Sequence, residues 1–231
     1  MPPLAVRRLS PELMDDPGLD ADSHHGALAG LERINRLSAT ACALWRPLRR
    51  WACDGRHLRV LDVACGAGDV AIALARRVRR TGLPVALAAC DLSPRAIAWA
   101  RQRASARGAA VEFFVRDVVA DGVPRGYDIY LCTLFLHHLR EMDAVGLLAR
   151  MGKGRGLLVS DLARSRAGYW AAYLGARLLS RSPVVRADAP ASVAGAFTRS
   201  ELRGLAATAG LAGARVRPHW PFRLLLEWWR P

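Results

Sequence analysis

Two glycines and three aspartates stand where short apolar runs give way to polar residues. Gly66 and Gly68 follow the run that contains Asp62, and Asp91 and Asp117 follow the next two runs. Glycine lets the backbone approach a ligand closely because it has no Cβ, and a carboxylate accepts hydrogen bonds from ligand hydroxyls. The pattern therefore predicts a ligand site formed by a glycine turn and strand-end acids.

Two adjacent histidines, His137 and His138, follow a fourth apolar run, YDIYLCTLFL. An imidazole with an unperturbed pKa near ~6.5 can remove the proton of a phenol, whose pKa is near ~10. We predict a general base here and favour His137, because it comes first after the run. A metal site is not expected, because adjacent histidines should point apart and no cluster of acids accompanies them.

The elements that must position these residues alternate between strands and helices, as in a parallel sheet covered on both faces. The predicted strands are RVLDVA (59–64), VALAAC (85–90), VEFFV (111–115), YDIYLC (127–132) and GLLVS (156–160), with helices near 70–80, 94–107 and 142–151. A capping box from Thr198 to Glu201 predicts a helix that ends at Gly210. ARVRPHW and PFRLLLEWW then predict two strands joined at Pro221, the last of them (about 222–229) antiparallel and beside the fifth, in a seven-stranded α/β sheet with helices on both faces.

Two segments do not follow the alternation. Apolar residues recur at spacings of three and four from Ala27 to about Leu48, which predicts an amphipathic helix that Pro47 ends or kinks. In residues 165–197 an aromatic segment, GYWAAYLGARLL, precedes a predicted loop rich in Pro, Ala and Ser. We therefore expect an irregular leader (1–25) and a cap helix within residues 1–54, then a main domain at 55–231 with a substrate-cap insertion at 165–197.

A dinucleotide site is one alternative, since Gly66-x-Gly68-x-x-Ala71 satisfies the corresponding fingerprint. Asp62 argues against it, because a buried carboxylate needs a partner where dinucleotide folds have apolar packing. A short-chain dehydrogenase needs Tyr-x-x-x-Lys, and the only lysine, Lys153, has Ala149 four residues before it.

VLDVACGAGD (60–69), together with Asp91 and Asp117, resembles the cofactor motifs of class I S-adenosylmethionine-dependent methyltransferases of the small-molecule type. The resemblance covers about residues 55–160. It implies a Rossmann-like fold, methyltransferase activity and S-adenosylmethionine as the cofactor.

The same resemblance implies a role for each matched residue. Asp91 would bind both ribose hydroxyls and Leu92 would flank the adenine. Asp117 and Val118 would meet the adenine edge. Ala64 stands where the family usually has its first glycine, and its methyl group should fit if the backbone stays extended. The remaining cofactor residues that it implies are Asp62, Gly66, Gly68 and Cys132.

The segment after the fourth strand indicates the acceptor. Enzymes that methylate exocyclic amines or glutamine amides carry Asn or Asp followed by Pro-Pro and an aromatic residue here, whereas this chain has CTLF (132–135). Cytosine C5 transfer usually needs a cysteine after a proline, and none of the five cysteines follows one. A hydroxyl acceptor is favoured, in an apolar pocket that Tyr169, Trp170 and Tyr173 would help to form. Those aromatic residues could equally be core residues, and C-methylation of a quinone precursor stays open.

Charge and composition keep one rival function in view. The net charge is +14, and the last 86 residues hold 14 basic residues against four acids, so an RNA- or ribosome-directed methyltransferase is the alternative. A binding protein without activity is a third class. No apolar run approaches the ~20 residues that span a bilayer, and the N-terminal residues lack a signal-peptide pattern. We therefore expect a cytoplasmic enzyme of secondary metabolism whose acceptor is a lipophilic phenol.

Overall fold

A seven-stranded sheet forms the centre of the structure, a computed structural model that describes residues 4–15, 18, 20–53 and 55–230. The strands are β1 (Leu58–Val63), β2 (Val85–Asp91), β3 (Glu112–Val115), β4 (Ile129–Thr133), β5 (Gly156–Leu162), β6 (Arg215–His219) and β7 (Arg223–Trp229). Their order is β3-β2-β1-β4-β5-β7-β6, and β7 runs in the direction opposite to the other six strands. The predicted sheet, with an antiparallel last strand beside the fifth, is confirmed.

Eight α-helices surround the sheet within the described residues. They are α1 (Ala21–Leu37), α2 (Thr40–Ala52), α3 (Asp69–Thr81), α4 (Pro94–Ala106), α5 (Glu141–Met151), α6 (Arg166–Leu179), α7 (Pro183–Gly195) and α8 (Arg199–Thr208). Local sequence explains several starts: Ser93 caps α4, whose first residue is Pro94, and the Thr198–Glu201 capping box opens α8 as predicted. Short 3-10 helices occur at Leu13–Asp15 and Leu136–His138.

The N-terminal part contains two helices where the spacing predicts one. Ala39 adopts a left-handed φ of 52° between α1 and α2, which breaks the helix although the apolar spacing continues. Of the two outcomes expected at Pro47, an end or a kink, the structure excludes the end, because α2 continues to Ala52. Trp51 and Ala52 are buried in the core, and this packing outweighs the hydrogen bond that proline removes.

The 165–197 segment is helical throughout most of its length. The loop predicted after the aromatic segment is instead α7, which Ser182 caps and Pro183 begins. Val184, Val185 and Val193 are buried, so the segment has the apolar face that a packed helix needs. The two helices form a hairpin over the carboxyl ends of the strands.

The core lies on both faces of the sheet. Leu61 and Val63 of β1 join one apolar cluster, and Leu58 and Val60 join the other, as alternation along a strand requires. Trp228 is 7% exposed, so at least one of the two final tryptophans belongs to the core. No helix in the described part of the chain has both the length and the apolar character needed to cross a bilayer.

Candidate active site

The glycine turn lies between β1 and α3, at the carboxyl edge of the sheet. Gly66 and Gly68 have φ values of +53° and +68°, which only glycine adopts without strain. The Gly66 N–H donates to Asp91 Oδ2 at 2.8 Å, and the Ser93 N–H donates to Asp91 Oδ1 at 2.9 Å. Asp91 therefore holds the turn against the end of β2.

The two glycines differ in what surrounds them. A Cβ on Gly68 would come within 2.6 Å of the Phe113 ring, whereas a Cβ on Gly66 would meet nothing within 4 Å. Gly68 thus packs the turn tightly against the protein. Gly66 faces open space, where a ligand can approach the backbone.

Asp62, in β1, and Ala64, directly after that strand, are both placed at a cost in folding free energy. Asp62 is fully buried, and within the described residues neither carboxylate oxygen has a hydrogen-bond partner. Burial raises the pKa of Asp62 to about 8, with the charges of Asp69 and Asp91 adding to the effect, so its carboxyl group is protonated at pH 7. Ala64 has a φ of 53°, so the condition set for its methyl group, an extended backbone, is not met. Left-handed geometry costs a non-glycine residue about 1–2 kcal/mol.

The remaining residues of the predicted cofactor set divide into two groups. Leu92 is 64% exposed beside Asp91, and Asp117 caps the turn after β3 by accepting from the Val119 and Ala120 N–H groups. Val118 is 4% exposed and Cys132 fully buried, so the structure does not support ligand contact by these two side chains. Both pack in the core cluster that includes β1 and β4.

The first group fits a bound nucleoside. Asp91 is only partly buried, and a carboxylate offers about four acceptor positions, of which the two N–H donors occupy two. The others can accept ribose hydroxyls, while exposed Leu92 offers an apolar surface to a base. The open side of Gly66 and the buried Asp62 carboxyl, which has no hydrogen-bond partner among the described residues, are further features expected near a ligand.

His137 lies in the 3-10 helix after β4 and is held by Asp161 of β5. The backbone N–H of His137 donates to Asp161 Oδ2 at 3.1 Å, and the ring Nδ1 is 2.6 Å from Asp161 Oδ1. Its Nε2 is 3.6 Å from Glu12 Oε1. This arrangement fixes the ring and leaves Nε2 as the nitrogen that faces away from the core.

The charge of His137 differs from the sequence expectation. Burial alone lowers the pKa of the imidazole, but the carboxylates of Asp161 and Glu12 outweigh burial and raise the pKa to about 9. The same contact holds the pKa of Asp161 below its usual value despite burial. At pH 7 the ring is therefore an imidazolium, and the neutral base that the sequence suggested is a minor species.

His138 lies against His137 rather than pointing away from it. The two ring centroids are 4.1 Å apart, and His138 Nδ1 is 3.8 Å from Glu12 Oε1. The expectation of divergent rings is wrong, because both rings turn toward the same carboxylate. Ligand atoms of Glu12, His137 and His138 all lie within 4.8 Å of one another. The sequence predicted that the histidines would point apart and so disfavour a metal, and the geometry does not support that reason.

The leader contributes to the site, which sequence reasoning missed. The Arg7 guanidinium donates to the carbonyls of His137 at 3.0 Å and Leu139 at 2.7 Å and lies over the Phe197 ring. Glu12 is fixed by the Ser192 hydroxyl. No local motif marks these residues, since their partners are more than 100 positions away.

A cavity of about 340 Å³ opens beside His137, between the carboxyl ends of β4 and β5, the start of β7 and the helices α1, α6 and α7. Most of its lining is apolar. The polar side chains that reach it are those of Glu12, Ser38, His137, His138, Ser192 and Arg223.

The face that α6 turns to the cavity consists of small residues: Gly168, Ala171, Ala172, Gly175 and Ala176. The predicted pocket residues Tyr169, Trp170 and Tyr173 are not part of the lining. Trp170 is 49% exposed, and its ring lies 5.6 Å from that of Tyr173. Helical periodicity separates the two sets, so the aromatic residues form the outer face of the hairpin and not the wall of the pocket.

Comparisons with known proteins agree with this architecture. Residues 60–156 match the family described as "Methyltransferase domain". The chain is 30% identical over 127 residues to a ubiquinone biosynthesis O-methyltransferase of Xanthomonas euvesicatoria pv. vesicatoria, a match that covers 53% of this chain and 51% of that protein. The chain therefore spans about half the length of the curated relatives it matches.

Solved structures show the same fold at low identity. A Nostoc punctiforme protein assigned provisionally as an O-methyltransferase has a TM-score of 0.63 at 16% identity, covering 89% of this chain and 60% of that one. Magnesium protoporphyrin IX methyltransferase from Synechocystis, solved with bound SAH, has a TM-score of 0.58 at 18% identity, covering 94% and 91%. The family match falls on the strands and glycine turn described above, so residues 60–156 resemble a methyltransferase domain, and the solved structures show that the fold is shared.

Proposed function

We propose that this protein transfers a methyl group from S-adenosylmethionine to an oxygen atom of a small, lipophilic, phenolic acceptor. The observation that carries the proposal is the apolar cavity at the carboxyl ends of β4 and β5, with the buried His137–Asp161 pair at its wall. β4 is the neighbour of β1, the strand that ends at the glycine turn. Donor and acceptor sites are then neighbours on one sheet edge, as ligand binding in open α/β folds requires.

The cofactor side rests on the family and on residues that fit a nucleoside. Gly66 gives backbone access, Asp91 has free acceptor positions, and Leu92 offers an exposed apolar surface. When bound, S-adenosylmethionine supplies an electrophilic methyl group on a sulfonium sulfur. The chain's task is to hold an acceptor oxygen in line with that group.

His137 is the residue best placed to manage the acceptor proton. Asp161 occupies its Nδ1, so Nε2 meets the acceptor. Below a pH of about 9 the imidazolium donates to the acceptor oxygen, which favours an acceptor that enters as a phenolate. Above that pH the neutral ring accepts the phenol proton. Glu12, whose Oε1 is 3.6 Å from Nε2, helps to stabilise the protonated ring.

An oxygen acceptor also agrees with the curated relatives, whose names specify O-methylation in ubiquinone biosynthesis. C-methylation of a related ring would use the same cavity and stays a variant of the proposal. No described feature of the cavity favours RNA, since its lining is mostly apolar. A cytoplasmic location and an acceptor from secondary metabolism remain predictions of the sequence.

Methyl transfer tests the proposal directly. The protein would be incubated with S-adenosylmethionine labelled in its methyl group, together with either a panel of phenols or total RNA. We expect label in the phenol fraction, in products whose mass spectra locate the methyl group on oxygen. Label in RNA alone, or no transfer to any acceptor, would overturn the proposal.

A further inference from the structure

Arg223 is a buried cation at the cavity. It begins β7, is 2% exposed, and belongs to the cavity lining. The residue before it, Phe222, has a left-handed φ of 49°. A charged group in such a place needs compensation, because transfer of an unpaired charge from water to an apolar surrounding is costly.

The hydrogen-bond partners of Arg223 are neutral. Its guanidinium donates to the Thr40 hydroxyl and, at 3.0 Å, to Asn35 Oδ1. None of the ion pairs found in the described part of the chain includes Arg223. A guanidinium has five N–H donors, so these two partners leave donors for a ligand.

The acids that act on Arg223 from a distance are engaged elsewhere. Asp161 and Asp69 both influence the guanidinium by charge. Asp161 accepts from the Leu162 N–H and contacts His137, and Asp69 is hydrogen-bonded to Asn35. Burial lowers the pKa of Arg223 to about 10 against these charges, so it stays cationic at pH 7. Among the residues that the structure describes, Arg223 therefore has no direct ionic partner.

We propose that Arg223 binds a carboxylate, and that the acceptor is accordingly an aromatic carboxylic acid whose ring fills the apolar cavity. This inference rests on the proposed function and narrows its substrate class. A planar guanidinium matches a carboxylate with two parallel hydrogen bonds, and such charge-assisted bonds are the strong ones. Ring burial and carboxylate pairing would together orient the hydroxyl toward His137.

One other carboxylate could reach the same residue. Asn35 connects Arg223 to Asp69, the first residue of α3 after the glycine turn. The methionine carboxylate of the cofactor therefore shares the chemistry that Arg223 recognises. The experiment must separate an acceptor carboxylate from a cofactor carboxylate.

Matched pairs of probes make this separation. For the acceptor, 3,4-dihydroxybenzoate is compared with catechol, which lacks the carboxylate. For the cofactor, S-adenosylhomocysteine is compared with 5′-methylthioadenosine, which lacks the amino acid carboxylate. Binding is measured by calorimetry, and KM for both acceptors by methyl transfer. The proteins are wild type, Arg223→Met, Arg223→Lys and, as a charge-matched control, Arg217→Met, whose arginine is exposed on β6.

We expect Arg223→Met to weaken the binding of 3,4-dihydroxybenzoate by at least ~10-fold, the lower end for a hydrogen bond to a charged group. The binding of catechol should weaken by less than ~3-fold. Arg223→Lys should lose less affinity for 3,4-dihydroxybenzoate, because lysine keeps the positive charge but lacks the two parallel N–H donors of the guanidinium. Retained 5′-methylthioadenosine binding shows that a variant is folded. Weaker binding of S-adenosylhomocysteine with unchanged binding of 5′-methylthioadenosine would support carboxylate binding by Arg223 but contradict the acceptor assignment, because the carboxylate would then be that of the cofactor.

Two results would overturn the inference. One is equal affinity of the wild-type protein for both members of each pair, which needs no variant to fold. The other is an Arg223→Met protein that discriminates within both pairs as the wild type does. Failure of the proposed function is distinct, because the wild type would then transfer no methyl group to any acceptor.

Discussion

The glycine turn and the cavity at His137 lie at the same edge of the sheet but are assembled over different distances in the sequence. Asp91 meets the Gly66 N–H across 25 positions, within consecutive strand–helix units. Arg223 meets Thr40 across 183 positions, and Arg7 meets the His137 carbonyl across 130. The cofactor side is therefore a local product of the fold, whereas the cavity depends on segments that only the folded chain brings together.

This difference predicts that changes in the cavity affect turnover and leave cofactor affinity alone. His137→Ala should lower kcat by ~100-fold or more, the usual contribution of proton transfer, because the cavity loses the imidazole that Asp161 holds. In the wild type, turnover of a phenol should rise with pH and level off near 9, as the imidazole becomes neutral. His138→Ala is the control, expected to be milder since Asp161 holds His137 and not His138. Full turnover of both variants from pH 6 to 9 would contradict the role.

The His137–Asp161 pair should also make stability depend on pH. The folded pKa of His137, about 9, lies above its ordinary value of 6.5. The contribution of His137 to the free energy of unfolding, about 3 kcal/mol, is therefore complete below pH 6.5 and is lost as the pH rises through 9. Urea unfolding at pH 6 and pH 9.5 should show a larger fall for wild type than for His137→Asn. The raised pKa of Asp62 lowers the free energy of unfolding of both proteins over the same pH range. Equal falls would therefore show that His137 is not charged in the fold.

The two faces of α6 sharpen the comparison within one helix. Gly175 lines the cavity, and a Cβ there meets nothing within 4 Å, so Gly175→Leu should fill space without a clash. We expect KM for bulky acceptors to rise ~10-fold, with cofactor affinity unchanged and helix propensity improved. Trp170→Ala, on the exposed face, should leave KM within ~2-fold. A larger rise in KM for Trp170→Ala than for Gly175→Leu would indicate instead that the aromatic residues form the pocket wall.

Backbone strain gives the smallest expected effect, and on the cofactor side. Ala64 has a left-handed φ of 53°, so Ala64→Gly should relieve strain and raise the free energy of unfolding by about 1 kcal/mol. Thermal or urea unfolding measures this gain. Ala39→Gly, at a left-handed alanine far from the glycine turn, is the matched control and should gain similarly. A loss of stability on Ala64→Gly would mean that the methyl group packs usefully.

These elements also show where sequence reasoning succeeds. The strands, the capped helices and the turn around Gly66 follow from patterns within a few residues, because hydrogen bonds and side-chain alternation there are local. The break at Ala39 and the helix beyond Pro47 depend on packing, which overrides local preference. The strained backbone at Ala64 has no sequence signature.

The acceptor side was less predictable for a related reason. The position of His137 after β4 could be predicted, but its charge could not, since Glu12 and Asp161 reach it from two other segments. Periodicity predicts that α6 has two faces without saying which one meets the cavity. Arg223 drew no attention in a chain with 33 arginines, because its burial is visible only in the fold.

Calorimetric titration of S-adenosylhomocysteine into three proteins tests the central claim most directly. Wild type and His137→Ala should bind with equal affinity, because the cavity is separate from the glycine turn. Asp91→Ala should bind more weakly by ~1.5–3 kcal/mol, or ~10- to 150-fold, the cost of losing hydrogen bonds to a charged group. Unchanged affinity in Asp91→Ala, or no binding to the wild type, would contradict the assignment of this edge to the cofactor.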